Sequence, residues 1–155
     1  MKEDLAQTIS NTMKKIIVIL LALIICGCVQ SIHTAAIDQD INRVNYYLNK
    51  GVDIDEADRY GQTPLTYSAY YGHYPMVRYL CEKGADVNIQ NAEGYTALLY
   101  GAYYGHYEIV KFLLDYKADP NIKNKYGYNA YEYARKFQFE KILELLKERG
   151  AKPIY

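Results

Sequence analysis

A period of 33 residues runs through most of this chain, and few other features would limit its fold so strongly. Gly61, Gly94 and Gly127 fall on that period, as do Gly51, Gly84, Lys117 and Gly150, and Asp53, Asp86 and Asp119. The best-preserved stretch reads Gly61-Gln62-Thr63-Pro64-Leu65-Thr66-Tyr67-Ser68-Ala69-Tyr70-Tyr71-Gly72-His73. Its echo reads Gly94-Tyr95-Thr96-Ala97-Leu98-Leu99-Tyr100-Gly101-Ala102-Tyr103-Tyr104-Gly105-His106. Val77 to Leu80 and Val110 to Leu113 then repeat a Val-x-x-Leu spacing. Self-similarity at this period means stacked units, each too small to bury its apolar face without a neighbour.

Each recurring residue has a local cause. Thr63 suits the N-cap of a first helix, and Pro64 its first position, where no amide hydrogen is needed. Leu65 and Ala69 lie four apart on one face of that helix. Gly72 and Gly105 suit the left-handed residue that ends it. Val77, Leu80 and Cys81 are expected to form the buried face of a second helix, and Gly84 to open the turn that follows. These residues resemble the ankyrin repeat, and the resemblance covers everything after Ser31. It implies an all-α solenoid of helix-turn-helix units with hairpin-like loops.

Four units are expected: an N-terminal cap over 31–58, central repeats over 59–91 and 92–124, and a C-terminal cap over 125–155. Terminal units need a polar outer side. Accordingly the first has Gln39 where a glycine is expected, and the last has Lys147 where the others carry Leu48, Cys81 and Leu114. Asn129-Ala130-Tyr131-Glu132 has the spacing of a capping box. Lys117 replaces a glycine and costs about 1 kcal/mol if left-handed.

The segment before the repeats reads as an address. Lys14 and Lys15 precede an apolar run from Ile16 to Ile25, the order of a secretory signal peptide. The run falls short of the roughly 20 apolar residues that span a bilayer. Nothing before Met13 adds to the pattern, so Met13 is the expected start and residues 1–27 the signal. Ile25-Cys26-Gly27-Cys28 resembles a bacterial lipobox, which implies cleavage before Cys28, lipid on that cysteine and a tether over 28–30. An uncleaved anchor helix or ordinary secretion are the alternatives. The expected location is the bacterial cell envelope, exported and membrane-anchored. Val29 is not the aspartate of inner-membrane retention, so in a Gram-negative cell the outer membrane is favoured.

Composition and motifs argue against chemistry. Lysine plus arginine and aspartate plus glutamate number 18 each, which gives no basic surface for nucleic acid. Only Cys81 lies outside the N-terminal segment, so no disulfide framework is expected. His73 and His106 occupy identical repeat positions and lack the ligands of a zinc site. Asp53, Asp55, Glu56 and Asp58 fail as a calcium loop, because Ala57 and Asp58 stand where a ligand and a glycine are needed. No nucleophile elbow or phosphate loop is present. No enzyme activity, cofactor, metal or small-molecule substrate is expected.

The tyrosines are the unusual element: 19, against three phenylalanines and no tryptophan. In ankyrin proteins the loop tips and the outer side of the first helix form the binding face. The positions that match carry Tyr60, Tyr70, Tyr71, Tyr95, Tyr103, Tyr104, Tyr126 and Tyr128, with Gln62, Glu93, Lys136 and Phe137. Tyrosine gives a large, rigid contact with a polar tip. Compositional bias is the competing explanation. It would also raise phenylalanine, but Tyr47 and Tyr131 do fall in columns expected to be buried. The expected function is binding of a protein partner through this face. A structural envelope scaffold and an accessory enzyme subunit are the alternatives.

Overall fold

The structure, a computed structural model, describes residues 31–154. Cys28, Met13, the signal segment and the tether lie outside the described residues. Eight helices and no strand are present among the described residues, two helices to each expected unit. They are α1 (Ile32–Ile37) and α2 (Ile41–Asn49), α3 (Pro64–Tyr70) and α4 (Tyr74–Glu82), α5 (Ala97–Tyr104) and α6 (Tyr107–Asp115), and α7 (Ala130–Lys136) and α8 (Glu140–Glu148). The first helices form a continuous row, α1 on α3 on α5 on α7, and each second helix packs on its own partner.

The first helices start where the sequence says they should. Ser31, Thr63, Thr96 and Asn129 cap α1, α3, α5 and α7, each side-chain oxygen accepting from the amide three residues on. Such a cap contributes about 1 kcal/mol. At Thr63 the box closes, because the Thr66 hydroxyl accepts from the Thr63 amide at 2.8 Å. At Asn129 only half of the expected box forms. The Glu132 carboxylate is drawn instead to the Ile154 amide at 2.9 Å and to Arg135, while Asn129 Nδ2 donates to the Lys152 carbonyl. The C-terminal tail takes the groups that a reciprocal cap needs.

Small residues let the two rows approach. Ala35, Ser68, Gly101 and Ala134 occupy one column and are buried, and a Cβ on Gly101 would meet Val110 at 3.1 Å. Against this seam lie Val44, Met76, Val77, Leu80, Ile109, Val110, Leu113, Ile142 and Leu146, all 2% exposed or less. Cys81 is buried in the same layer, and burial pushes its thiol up to about 12. Almost no thiolate exists at neutral pH, so Cys81 is a small hydrophobe rather than a reactive group.

The turns between helices use left-handed residues whether or not glycine is available. Gly72 and Gly105 both have φ of 77°, and Gln39 and Gln138 hold the same repeat position at 57° and 59°. Lys117 is left-handed at 63°, so the penalty of about 1 kcal/mol anticipated for it applies. His73 and His106 tie adjacent units. Their Nε2–H groups donate to the carbonyls of Ile37 and Tyr70, at 2.9 and 3.4 Å.

Candidate functional site: a tyrosine face built on the repeat junctions

The face begins in the loops between units, where one polar side chain organises each finger. Asp58, Asn91 and Asn124 lie 33 apart. One oxygen of each accepts from the amides two and four residues on: Tyr60 and Gln62, Glu93 and Tyr95, Tyr126 and Tyr128, all at 2.8–3.0 Å. The other polar atom reaches a tyrosine hydroxyl nine residues on. Tyr67 donates to Asp58 at 2.7 Å, while Asn91 and Asn124 donate to Tyr100 and Tyr133 at 2.8 and 2.7 Å. The polarity of that bond reverses with the side chain, because a carboxylate only accepts whereas an amide nitrogen only donates.

Neighbouring fingers are laced together. The Ala92 amide donates to the Tyr60 carbonyl at 2.9 Å, and the Lys125 amide to the Glu93 carbonyl at 3.0 Å. The closeness of this contact is why Gly94 is a glycine: a Cβ there would lie 2.8 Å from the Asn124 Cα, on a backbone with φ of 82°. Side chains continue the link. Gln62 donates to the Tyr100 hydroxyl at 2.7 Å, and the hydroxyls of Tyr95 and Tyr133 meet at 2.6 Å. Gln62 Oε1 is buried without a partner among the described residues.

On this frame the rings form a connected network. Tyr70 touches Tyr71, Tyr104 and Tyr100 edge to face, with centroids at 4.8, 4.8 and 5.3 Å. Tyr103 meets Tyr104, Tyr133 and Phe137 in the same way at 4.8–5.0 Å. Behind them Tyr100, Tyr95, Tyr133 and Tyr128 stack in series at 4.9, 5.9 and 5.3 Å. Each such pair contributes about 0.5–1.5 kcal/mol beyond its buried area.

The eight tyrosines expected from sequence therefore divide. Tyr70, Tyr71, Tyr104 and Tyr128 are exposed members of the network, with Tyr71 at 49% and Tyr104 at 41%. Tyr95 and Tyr103 belong to it but are half-buried, because the next unit covers one side of each ring. Tyr60 and Tyr126 are the most exposed, at 55% and 63%, and make no ring contact with the network among the described residues. They stand on the fingertips, Tyr60 under the Arg59 guanidinium and Tyr126 donating to Glu93 at 2.8 Å. Sequence reasoning missed Tyr67, Tyr100 and Tyr133, which carry the face from below. Their signal was present as a second 33-residue column, nine residues after Asp58, Asn91 and Asn124.

Burial raises the phenols of Tyr67, Tyr95, Tyr100 and Tyr104 above their ordinary value, helped by Asp58 beside Tyr67, Tyr133 beside Tyr95 and Tyr70 beside Tyr104. Burial also acts to raise the Asp58 carboxyl. The Tyr67 hydroxyl and the amides of Gln62 and Tyr60 outweigh it and hold that group below the ordinary range.

Row upon row of helix pairs, joined by fingers that end in an aromatic surface, defines a repeat solenoid with one preformed face. A family model described as ankyrin repeats (three copies) matches residues 9–91, 32–124 and 85–154. The chain belongs to the ankyrin repeat family. Ankyrin repeats typically mediate protein–protein interactions and are generally not catalytic. No curated protein matches the chain. Among the described residues no helix is long and apolar enough to cross a membrane.

The raised phenols give a signed expectation at alkaline pH. Their contribution to stability is complete below about pH 10, the ordinary tyrosine value. It is lost as pH rises from there through the folded values, because the unfolded chain ionises first. Phenolate absorbance should therefore rise in two phases, the late one coinciding with loss of helical circular dichroism. Ionisation of all 19 tyrosines in one phase, with helices intact, would contradict the packing described.

Proposed function

We propose that this chain is a binding module that holds a protein partner on its tyrosine face, while a lipid on Cys28 keeps it at a bacterial envelope membrane. The observation that carries the binding reading is the continuity of the rings: Tyr71, Tyr70, Tyr104, Tyr103 and Phe137 touch in sequence across three units. A contiguous exposed aromatic surface of this kind is what interfaces draw on, since their energy concentrates in a few aromatic or arginine residues. The rings are also held before any partner arrives, which reduces the ordering cost of binding.

The anchoring reading rests on Lys14-Lys15, the apolar run Ile16–Ile25 and Ile25-Cys26-Gly27-Cys28. Two or more acyl chains, at about 0.8 kcal/mol per buried methylene, give stable attachment. Val29 favours the outer membrane in a cell that has two. Metabolic acyl labelling tests this: Cys28→Ala should lose the label, and a labelled variant or an unprocessed Met1 terminus would refute it.

The face is tested by replacing Tyr71 and Tyr104 with alanine and crosslinking the full chain in its native envelope. Partner capture should fall at least about tenfold, equivalent to 1.4 kcal/mol. Stability should fall by about 1.5–4.5 kcal/mol, the share of the three tyrosine pairs removed. Undiminished capture would place the contact surface elsewhere, and outright unfolding would assign these rings to the core.

A further inference from the structure

The tyrosine face is uncharged across its middle and cationic at two margins. At one margin the Arg59 guanidinium lies over the Tyr60 ring, 4.7 Å from its centroid. At the other the Lys136 ammonium lies over Tyr128 and Phe137, at 5.5 and 5.7 Å. Neither cation forms an ion pair among the described residues. Several other charges near the face are paired or hydrogen-bonded. Glu93 accepts from Tyr126 and faces Lys125 at 3.9 Å, Asp38 pairs with Arg43 at 2.9 Å, and Glu132 pairs with Arg135. Asp58 is saturated by Tyr67 and two amides. Arg59 and Lys136 are thus the cations at the margins that lack an ion-pair partner among the described residues.

The polar tips of the rings add a second constraint. The hydroxyls of Tyr71, Tyr103 and Tyr128 make no hydrogen bond among the described residues, and Tyr71 and Tyr128 are exposed. Phenol hydroxyls both donate and accept, so these tips can meet the carbonyls and the N–H groups of an extended backbone. Proline-bearing segments dock on aromatic-lined surfaces because they are already extended before binding and lose little entropy there.

We propose that the face takes an extended peptide segment with an uncharged, proline-bearing middle and a carboxylate toward each end, the carboxylates meeting Arg59 and Lys136. This deepens the partner-binding reading above and rests on it. The geometry sets a length. Arg59 belongs to the second unit and Lys136 to the fourth, two helix-to-helix steps of roughly 8–10 Å apart. An extended segment advances about 3.1 Å per residue, so about six residues cover the span along the stack, and the two acids are placed that far apart. A single-stranded nucleic acid also combines anions with stackable rings. It calls for cations along several successive phosphates, whereas this chain has zero formal net charge and offers two.

The test uses the full chain and two fluorophore-labelled eight-residue peptides. Both carry the same middle of alternating proline and leucine, one ending in glutamates and the other in lysines. Anisotropy titration should show the glutamate-ended peptide binding at least about tenfold more tightly, with the difference shrinking in high salt. Arg59→Glu with Lys136→Glu should reverse the preference. The milder Arg59→Gln with Lys136→Gln should bring the two peptides close to equality, which guards against a folding defect in the reversed variant. Equal binding of both peptides, or no binding of either, overturns the proposal, as does a preference that survives charge reversal. Displacement of the bound peptide by a poly-dT oligonucleotide at equal concentration also overturns it. Equal binding that is lost in Tyr71→Ala with Tyr104→Ala defeats the charge assignment alone and leaves the partner-binding reading standing. Retention of peptide binding in that tyrosine variant defeats both.

Discussion

One side chain per loop carries more of this structure than its size suggests. Asp58, Asn91 and Asn124 each close a finger by accepting two backbone amides and then reach down to a tyrosine on the following helix. The fingers have no strand partner of their own beyond single backbone bonds to their neighbours. Without the Asp or Asn side chain, two amides in each finger would have to find water, and the tyrosine beneath would lose that bond. Local closure and inter-unit register thus depend on the same few hydrogen bonds.

The tyrosines reached from those loops explain why framework and surface cannot be separated cleanly. Tyr100 accepts from Asn91 and Gln62, which belong to different fingers, and its ring then supports Tyr70 and Tyr95. Tyr133 does the same for Tyr95, Tyr103 and Tyr128. Exposed rings rest on buried ones, and the buried ones are held by polar bonds in a sheltered setting where such bonds are strong and expensive to leave unmade. Rigidity at the surface follows from satisfaction beneath it. A partner meeting Tyr71 and Tyr104 encounters rings already placed.

Much of this was legible in the sequence, for identifiable reasons. A period of 33 with Thr-Pro or Thr-Ala at helix starts fixes where helices begin, since capping is local chemistry. Cys81 could be assigned to the core from Leu48 and Leu114 in its column, and Lys117 could be read as left-handed from Gly51 and Gly84. What the residues alone did not reveal depends on distance along the chain. The Gln62–Tyr100 and Tyr95–Tyr133 contacts span 38 residues each and follow from how the units stack. The half-formed cap at Asn129 turns on the tail, whose Ile154 amide competes for Glu132. Tyr60 and Tyr126 match the expected face by column, but the length of the fingers carries them away from the ring network.

The fingers are held in place before binding by the Asp and Asn side chains and the tyrosines beneath them. Hydrogen exchange of the backbone amides in the free chain tests this most directly. The amides of Glu93 and Tyr95, and those of Tyr126 and Tyr128, should exchange slowly in the wild type, at rates nearer those of the helices than of open loops. In Asn91→Ala the amides of Glu93 and Tyr95 should be released, along with Ala92, whose bond joins that finger to Tyr60. Fast exchange of all these amides in the wild-type chain, or protection that Asn91→Ala leaves unchanged, would contradict the account.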